Sequence, residues 1–154
     1  MEQSAKASLR PCRAEEAGEV LNLWRSAGAE PSHTDDEAGI RGLIERDPDA
    51  LLVAELDGRL VGTLIAAWDG WRANLYRLAV SPEFRRQGLG RRLLVEGERR
   101  LRSKGARRIT ALVHGDEGEA VVFWHSVGYA HDEEIRRYVK NVQSPFADSP
   151  AGCC

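Results

Sequence analysis

The sequence predicts a single α+β domain built on a mixed sheet, and three observations carry that prediction. Asp57-Gly58 joins two β-rich runs, the strongest short signal of a two-residue hairpin and hence of antiparallel neighbours. A strand, a long helix and a further strand follow between residues 73 and 113, a crossover that makes a parallel pair. The length of 154 residues, with 42% hydrophobic and 30% charged, suits one domain with a sizeable core.

The elements read in order as β-α-α-β-β-β-α-β-α-β-β. Residues 9–12 form a short first strand, and Ala17, Val20, Leu21, Leu23 and Trp24 give residues 14–27 a helical apolar stripe that Gly28 ends. A second helix spans 34–46, with Asp35-Asp36-Glu37 at its positive end and Ile40, Leu43 and Ile44 on its buried side. The hairpin strands are 50–56 and 59–68. Residues 73–80 are a strand stopped by Ser81-Pro82. Leu89, Leu93, Leu94 and Leu101 mark the buried face of a helix that ends near Lys104-Gly105. Residues 109–113 are a strand, 120–127 a helix, and a last strand pair includes residues 135–142. The domain is expected to run from 9 to 142, between a flexible stretch at 1–8 and a disordered tail at 143–154 rich in Ser, Pro, Asp and Gly.

Several classes are disfavoured by composition. No run of 18 apolar residues and no N-terminal apolar segment occur, so neither a membrane span nor a signal peptide is expected, and the expected location is cytoplasmic. Cys12, Cys153 and Cys154 do not have the spread spacing of a disulfide framework, and no paired Cys or His spacing suggests a metal. The net charge of −2 is unevenly distributed: Arg85 to Arg108 holds ten basic residues against Glu96 and Glu98, a local +8 that leaves −10 for the remainder. Such a stripe attracts polyanions, whether nucleic acid, an anionic surface or a phosphate-dense small ligand.

The turn Arg85-Arg86-Gln87-Gly88-Leu89-Gly90 lies between a strand and a helix. Glycines allow close backbone approach, and a helix entered there presents free amides and a positive dipole end to a pyrophosphate. Arg85, Arg86, Arg91 and Arg92 add charge-assisted contacts. The bland alternative is a tight turn with solvated arginines. Neither the P-loop spacing nor the third glycine of a dinucleotide fingerprint is present.

With Arg85-x-x-Gly88-x-Gly90 after a strand and before a long helix, the sequence resembles the GNAT family of N-acetyltransferases. The strand and turn Tyr76-Arg77-Leu78-Ala79-Val80-Ser81-Pro82-Glu83-Phe84 and the segment from Ala120 to Tyr129 are also typical of it, and the resemblance covers residues 9–142. It implies a mostly antiparallel mixed sheet flanked by helices, with splayed central strands. It further implies acetyl-CoA as co-substrate, direct attack by a primary amine of a small molecule, peptide or protein, and no metal. The backbone of Leu78, Ala79 and Val80 would hold the pantetheine arm and the thioester carbonyl. The pyrophosphate would fall to Arg85, Arg86, Gln87, Gly88, Leu89, Gly90 and Arg91. Homodimers are common among such proteins; no nucleic-acid or membrane partner is expected.

The sequence departs from the family where catalytic groups are often placed. Trp124 stands where many relatives have a tyrosine acid, Glu117 where an asparagine is frequent, and Asn74 where some have a glutamate base. Tyr76, His114, Asp116, His125 and Tyr129 remain as candidates for proton transfer. Trp68, Asp69, Trp71 and Tyr76 suggest an aromatic and acidic wall for a cationic acceptor, or equally a packed hairpin end. These departures keep open a non-catalytic acyl-CoA-binding module, and the basic stripe a nucleic-acid site.

Overall fold

The computed structural model describes residues 6–114 and 118–143. Five strands form one sheet in the order β1-β2-β3-β4-β5, comprising Ser8–Pro11, Leu51–Leu56, Arg59–Trp68, Ala73–Val80 and Ile109–Ala111. The first four pair antiparallel and β5 joins β4 in parallel, as the crossover requires. Helices α1 (Ala17–Ser26), α2 (Glu37–Arg46), α3 (Leu89–Ser103) and α4 (Glu119–Ser126) complete the described α-helical elements. Among the described residues, no helix is long and apolar enough to cross a membrane.

The local reasons for these elements are visible in the sequence. Asp57 and Gly58 both take positive φ, 50° and 75°, the conformation that matches a tight turn to the twist of β2 and β3. Asp36 caps α2, its Oδ1 accepting from the Gly39 amide at 2.6 Å. The central strands β2, β3 and β4 carry buried residues on both faces. Leu51, Val53 and Leu60 pack with Val20, Leu23, Trp24 and Ile40 of α1 and α2, whereas Leu52, Ala54, Leu64, Ala66 and Leu75 pack with Leu89, Leu93, Leu94 and Leu101 of α3. Each large apolar side chain so buried contributes roughly 1.5–3 kcal/mol, so the sandwich of α1 and α2, sheet and α3 is what holds β4 in place.

Two expectations need correction at the C-terminal end. The strand at residues 109–113 stops at Ala111, and no strand forms among described residues 130–143. Ile135, Tyr138, Val139 and Val142 are instead 70%, 90%, 73% and 69% exposed. Their pattern explains why: the alternating faces would be Ile135, Arg137, Val139, Asn141 and Arg136, Tyr138, Lys140, Val142. Each mixes apolar with polar or charged groups, so neither offers a continuous face whose burial would offset the entropy of ordering the chain. The packed part of the chain therefore reaches Tyr129. Of the tail expected at 143–154, residues 144–154, with Cys153 and Cys154, lie outside the described residues.

Candidate active site

Two features meet along β4. The first is the start of α3. Gly88 is its N-cap at φ 78°, ψ 10°, a left-handed conformation that suits glycine, and Arg86 two residues earlier is also left-handed at φ 63°. The first intrahelical bond at this end is Arg92 N–H to the Gly88 carbonyl at 3.0 Å. The amides of Leu89, Gly90 and Arg91 thus precede the ladder, no side chain caps the end, and no acidic residue occupies the first turn. A Cβ placed on Gly90 would sit 3.7 Å from Phe123 and 3.9 Å from Val80, ordinary contact, so packing alone does not require glycine there. Arg86, Gln87 and Arg91 are exposed around this end. Preorganised amides, a positive dipole end and exposed guanidinium groups fit a diphosphate.

The second feature is a cavity of about 270 Å³ where β4 parts from β5. The strands pair at Ala73↔Ile109, Asn74↔Thr110 and Leu75↔Ala111, and the last bond between them is Leu112 N–H to the Leu75 carbonyl at 3.1 Å. Beyond Leu75, β4 continues to Val80 against β3 alone. The gap is lined by Tyr76, Arg77, Leu78 and Ala79 on one side and Leu112, Val113 and His114 on the other. Gly28, Ala29 and Glu30 after α1, and Ala120 and Trp124 of α4, close it. The expected splay is therefore present, and Leu78 and Ala79 stand on its wall.

A bulge shapes that wall. Ile65 pairs with Tyr76 and Thr63 with Ala79, so Leu64 faces both Arg77 and Leu78, with Arg77 left-handed at φ 53°. The extra residue reverses the strand's alternation. Ala73 and Leu75 pack toward α3, yet beyond the bulge it is Leu78 and Val80 that do so, while Ala79 packs toward α1.

The arginines of the turn divide into two kinds. Arg85 is engaged within the protein, Nε donating to the Val80 carbonyl at 3.2 Å and Nη2 to the Ala27 carbonyl at 2.7 Å. Arg92 donates to the Ala7 carbonyl at 2.7 Å. Among the described residues Arg86 reaches Glu119 alone, at 3.5 Å and largely in solvent. Arg86 and Arg91 are thus the side chains placed to add charge at the amides, whereas Arg85 ties the turn to the end of α1.

The proton-transfer candidates also separate. Tyr76 and His114 line the cavity, and so does Trp124, whose indole N–H donates hydrogen bonds without acting as an acid. His125 is exposed on α4 and does not line it. Tyr129 packs edge-on against Trp124, its hydroxyl buried without a partner among the described residues, and burial foremost, then the charge of Glu98, pushes its pKa up to about 12. It faces α3 rather than the gap. Asn74 lies in the paired half of β4, opposite Ala67 and Thr110. Asp116 and Glu117 lie outside the described residues.

Of Trp68, Asp69, Trp71 and Tyr76, the cavity takes Tyr76 alone. Asp69 Oδ1 accepts from the amides of Trp71 and Arg72 at 2.8 and 2.6 Å, bonds that hold its carboxyl below the usual range. Trp71 is 75% exposed beneath the Arg72 guanidinium, and neither it, Trp68 nor Asp69 lines the cavity. Sequence reading missed Gly28 to Glu30 and the tertiary role of Arg77. The one signal available for the latter was the break in alternation between Leu75 and Leu78.

Comparison with known proteins agrees with this architecture. Residues 17–129 match the model of the acetyltransferase (GNAT) family. An acetyltransferase of Photorhabdus laumondii is 32% identical over 129 residues, covering 82% of this chain and 90% of the relative. Among solved structures, the PaiA N-acetyltransferase of Thermoplasma acidophilum, determined with coenzyme A, superposes with a TM-score of 0.72 at 18% identity, over 83% and 92% of the two chains. A GNAT-family acetyltransferase of Brucella melitensis, in complex with acetyl-CoA, gives a TM-score of 0.59 at 26% identity over 81% and 83%. The open amides at Gly88, the parted β4 and β5 and the match across residues 17–129 lead to one assignment: the chain belongs to the acetyltransferase (GNAT) family.

Proposed function

We propose that this protein transfers an acetyl group from acetyl-CoA to a primary amine by direct attack of the amine on the thioester. The observation that carries the reading is continuity: one strand, β4, forms the wall of the cavity and leads through Ser81 and Phe84 directly into the turn at the start of α3. A ligand with a diphosphate at one end and a reactive carbonyl at the other fits two sites joined this way. In this reading the amides of Leu89, Gly90 and Arg91, with Arg86 and Arg91, hold the diphosphate. The backbone of Leu78 and Ala79 lies along the pantetheine arm and stabilises charge developing on the carbonyl oxygen.

An attacking amine must be neutral, and of the titratable groups on the cavity wall, Glu30, Tyr76, Arg77 and His114, we assign its deprotonation, directly or through water, to Tyr76 and His114. Tyr129, held neutral and buried, is not assigned a role. The exposed Glu30 carboxylate at the rim favours a cationic acceptor, a small amine or a peptide amine, over an acidic one. The cytoplasm, where acetyl-CoA is available, is the proposed site of action.

The test is a panel of primary amines, small and peptidyl, incubated with acetyl-CoA while free thiol release is followed. Turnover with at least one amine, lost in a Tyr76→Phe, His114→Ala double variant, supports the reading. Tight coenzyme A binding with no turnover across the panel would favour a non-catalytic acyl-CoA-binding module. The observation on that side is Trp124, an indole on the cavity wall where a tyrosine acid is frequent.

A further inference from the structure

The connection between α1 and α2, residues 27–36, forms one lip of the cavity through Gly28, Ala29 and Glu30. Among the described residues it contributes no strand or helix, and its internal bonds are local turns, Asp35 N–H to Ser32 and Asp36 N–H to Thr34. Its start is held by α1, with the amides of Ala27, Gly28 and Ala29 donating to the carbonyls of Leu23, Arg25 and Trp24, and by Arg85 at the Ala27 carbonyl; from Glu30 to Asp35, what fixes it to the rest of the molecule is largely one side chain. Arg77 Nη1 donates to the Glu30 carbonyl at 3.0 Å, and Nη2 donates to Asp35 Oδ2 in an ion pair whose side chains are 19% and 17% exposed. The same guanidinium lies 5.1 Å above the Trp24 ring.

The backbone of Arg77 is tied into the core by a separate route. Trp24 Nε1 donates to Thr63 Oγ1 at 2.9 Å, and Thr63 Oγ1 donates to the Arg77 carbonyl at 2.9 Å. Thr63 is fully buried. Arg77 is also the residue that makes the bulge, at a φ of 53° where glycine would be unstrained and a side chain costs on the order of 1 kcal/mol. An arginine in a position suited to glycine calls for an explanation in what its side chain does. Here the side chain reaches from the bulged strand across to the lip facing it.

We infer that Arg77 is a positioning residue for the acceptor: it occupies the bulge that presents Leu78 and Ala79 to the cavity, and from there its side chain anchors the lip from Glu30 to Asp35. The acceptor-side wall and the thioester-side wall are then held in a fixed relation. The inference rests on the acetyl-transfer reading for its kinetic consequence, but the anchoring itself does not depend on turnover. Because Asp35 neutralises Arg77, the role is geometric and not a charge offered to the acceptor.

The experiment compares wild type with Arg77→Gly and Arg77→Lys. Glycine adopts the left-handed φ freely, so the bulge and fold persist while the anchor is lost. Amide hydrogen exchange at residues 30–36 is expected to accelerate about tenfold or more in Arg77→Gly, with exchange in β3 and α3 unchanged. The dissociation constant for coenzyme A is expected to stay within about twofold, while kcat/KM for the best amine falls on the order of 10- to 100-fold, as misplacement of a substrate wall predicts. Arg77→Lys, which keeps a cation but not the two-pronged reach, is expected to fall between the two. Unchanged exchange in the lip would overturn the anchoring. Faster exchange with unchanged kcat/KM, or an equal loss of coenzyme A binding, would overturn the acceptor role. If wild type acetylates no amine, the proposed function fails, and the exchange comparison still decides whether Arg77 holds the lip.

Discussion

The indole N–H of Trp24 donates to the hydroxyl oxygen of Thr63 at 2.9 Å, deep between α1 and β3, where Trp24 is 4% exposed and Thr63 not at all. The hydroxyl spends its own proton on the Arg77 carbonyl. Thr63→Val has nearly the same shape but strands the indole N–H and that carbonyl. The expected loss is about 1–3 kcal/mol of stability, read from the midpoint of urea denaturation. A midpoint equal to wild type would mean that water replaces the hydroxyl.

Arg100 makes a comparable buried connection on the other face. It is 6% exposed, and its guanidinium donates to the Ala66 carbonyl and to Asp47, tying α3 to β3 and to the turn after α2. Arg100→Ala leaves the carbonyl and the carboxylate without their donor, and is expected to destabilise by about 3 kcal/mol in chemical denaturation. Arg100→Lys, which can serve only part of this geometry, should lie between.

The start of α2 depends on Asp36. Asp36→Ala removes the bond to the Gly39 amide and should lower stability by about 1 kcal/mol, whereas Asp36→Ser should retain most of it. Thermal denaturation of the three proteins checks the order.

How much of this was legible in the sequence depended on the range of the interaction. The Asp57-Gly58 hairpin, the α2 cap and the turn at Gly88 are local, set by residues that favour particular backbone conformations, and the structure has them where expected. Of Leu78, Ala79 and Val80, whose backbone is expected along the pantetheine arm, Leu78 and Ala79 line the cavity and Val80 does not. What could not be read was tertiary. Its position before α2 suggests that Asp35 is a helix-starting carboxylate, yet its partner is Arg77, which lies 42 positions away. His125 neighbours Trp124 in sequence, but successive helical residues point about 100° apart, and only Trp124 lines the gap. The segment at 135–142 carried β-forming residues without a continuous apolar face, and propensity alone did not make a strand.

Tyr129 yields a pH prediction with a definite sign. Its folded pKa is raised from 10.0 to about 12, chiefly by burial, so between those values the unfolded chain releases a proton that the native state keeps. Its contribution to stability is complete below pH 10 and lost as pH rises toward 12. Cys12, pushed from 9.0 to about 12 chiefly by burial, acts in the same direction. Tyr129→Phe also removes a buried hydroxyl that has no partner among the described residues. It is expected to be at least as stable as wild type at neutral pH, to lose less stability between pH 10 and 12, and to retain acetyl transfer. Denaturation midpoints across that range, with thiol release at neutral pH, check all three. Loss of activity on this change would restore Tyr129 as an acid.

The most direct measurement is a calorimetric titration of coenzyme A into wild type and Gly88→Asp. Aspartate tolerates the left-handed conformation at φ 78°, so the turn can form, but its carboxylate would face the amides of Leu89, Gly90 and Arg91. The account predicts one-site binding to wild type, weakened about tenfold or more by the substitution while the thermal transition is retained. Absence of binding to wild type, or equal affinity in the two proteins, would contradict a coenzyme A site at this turn.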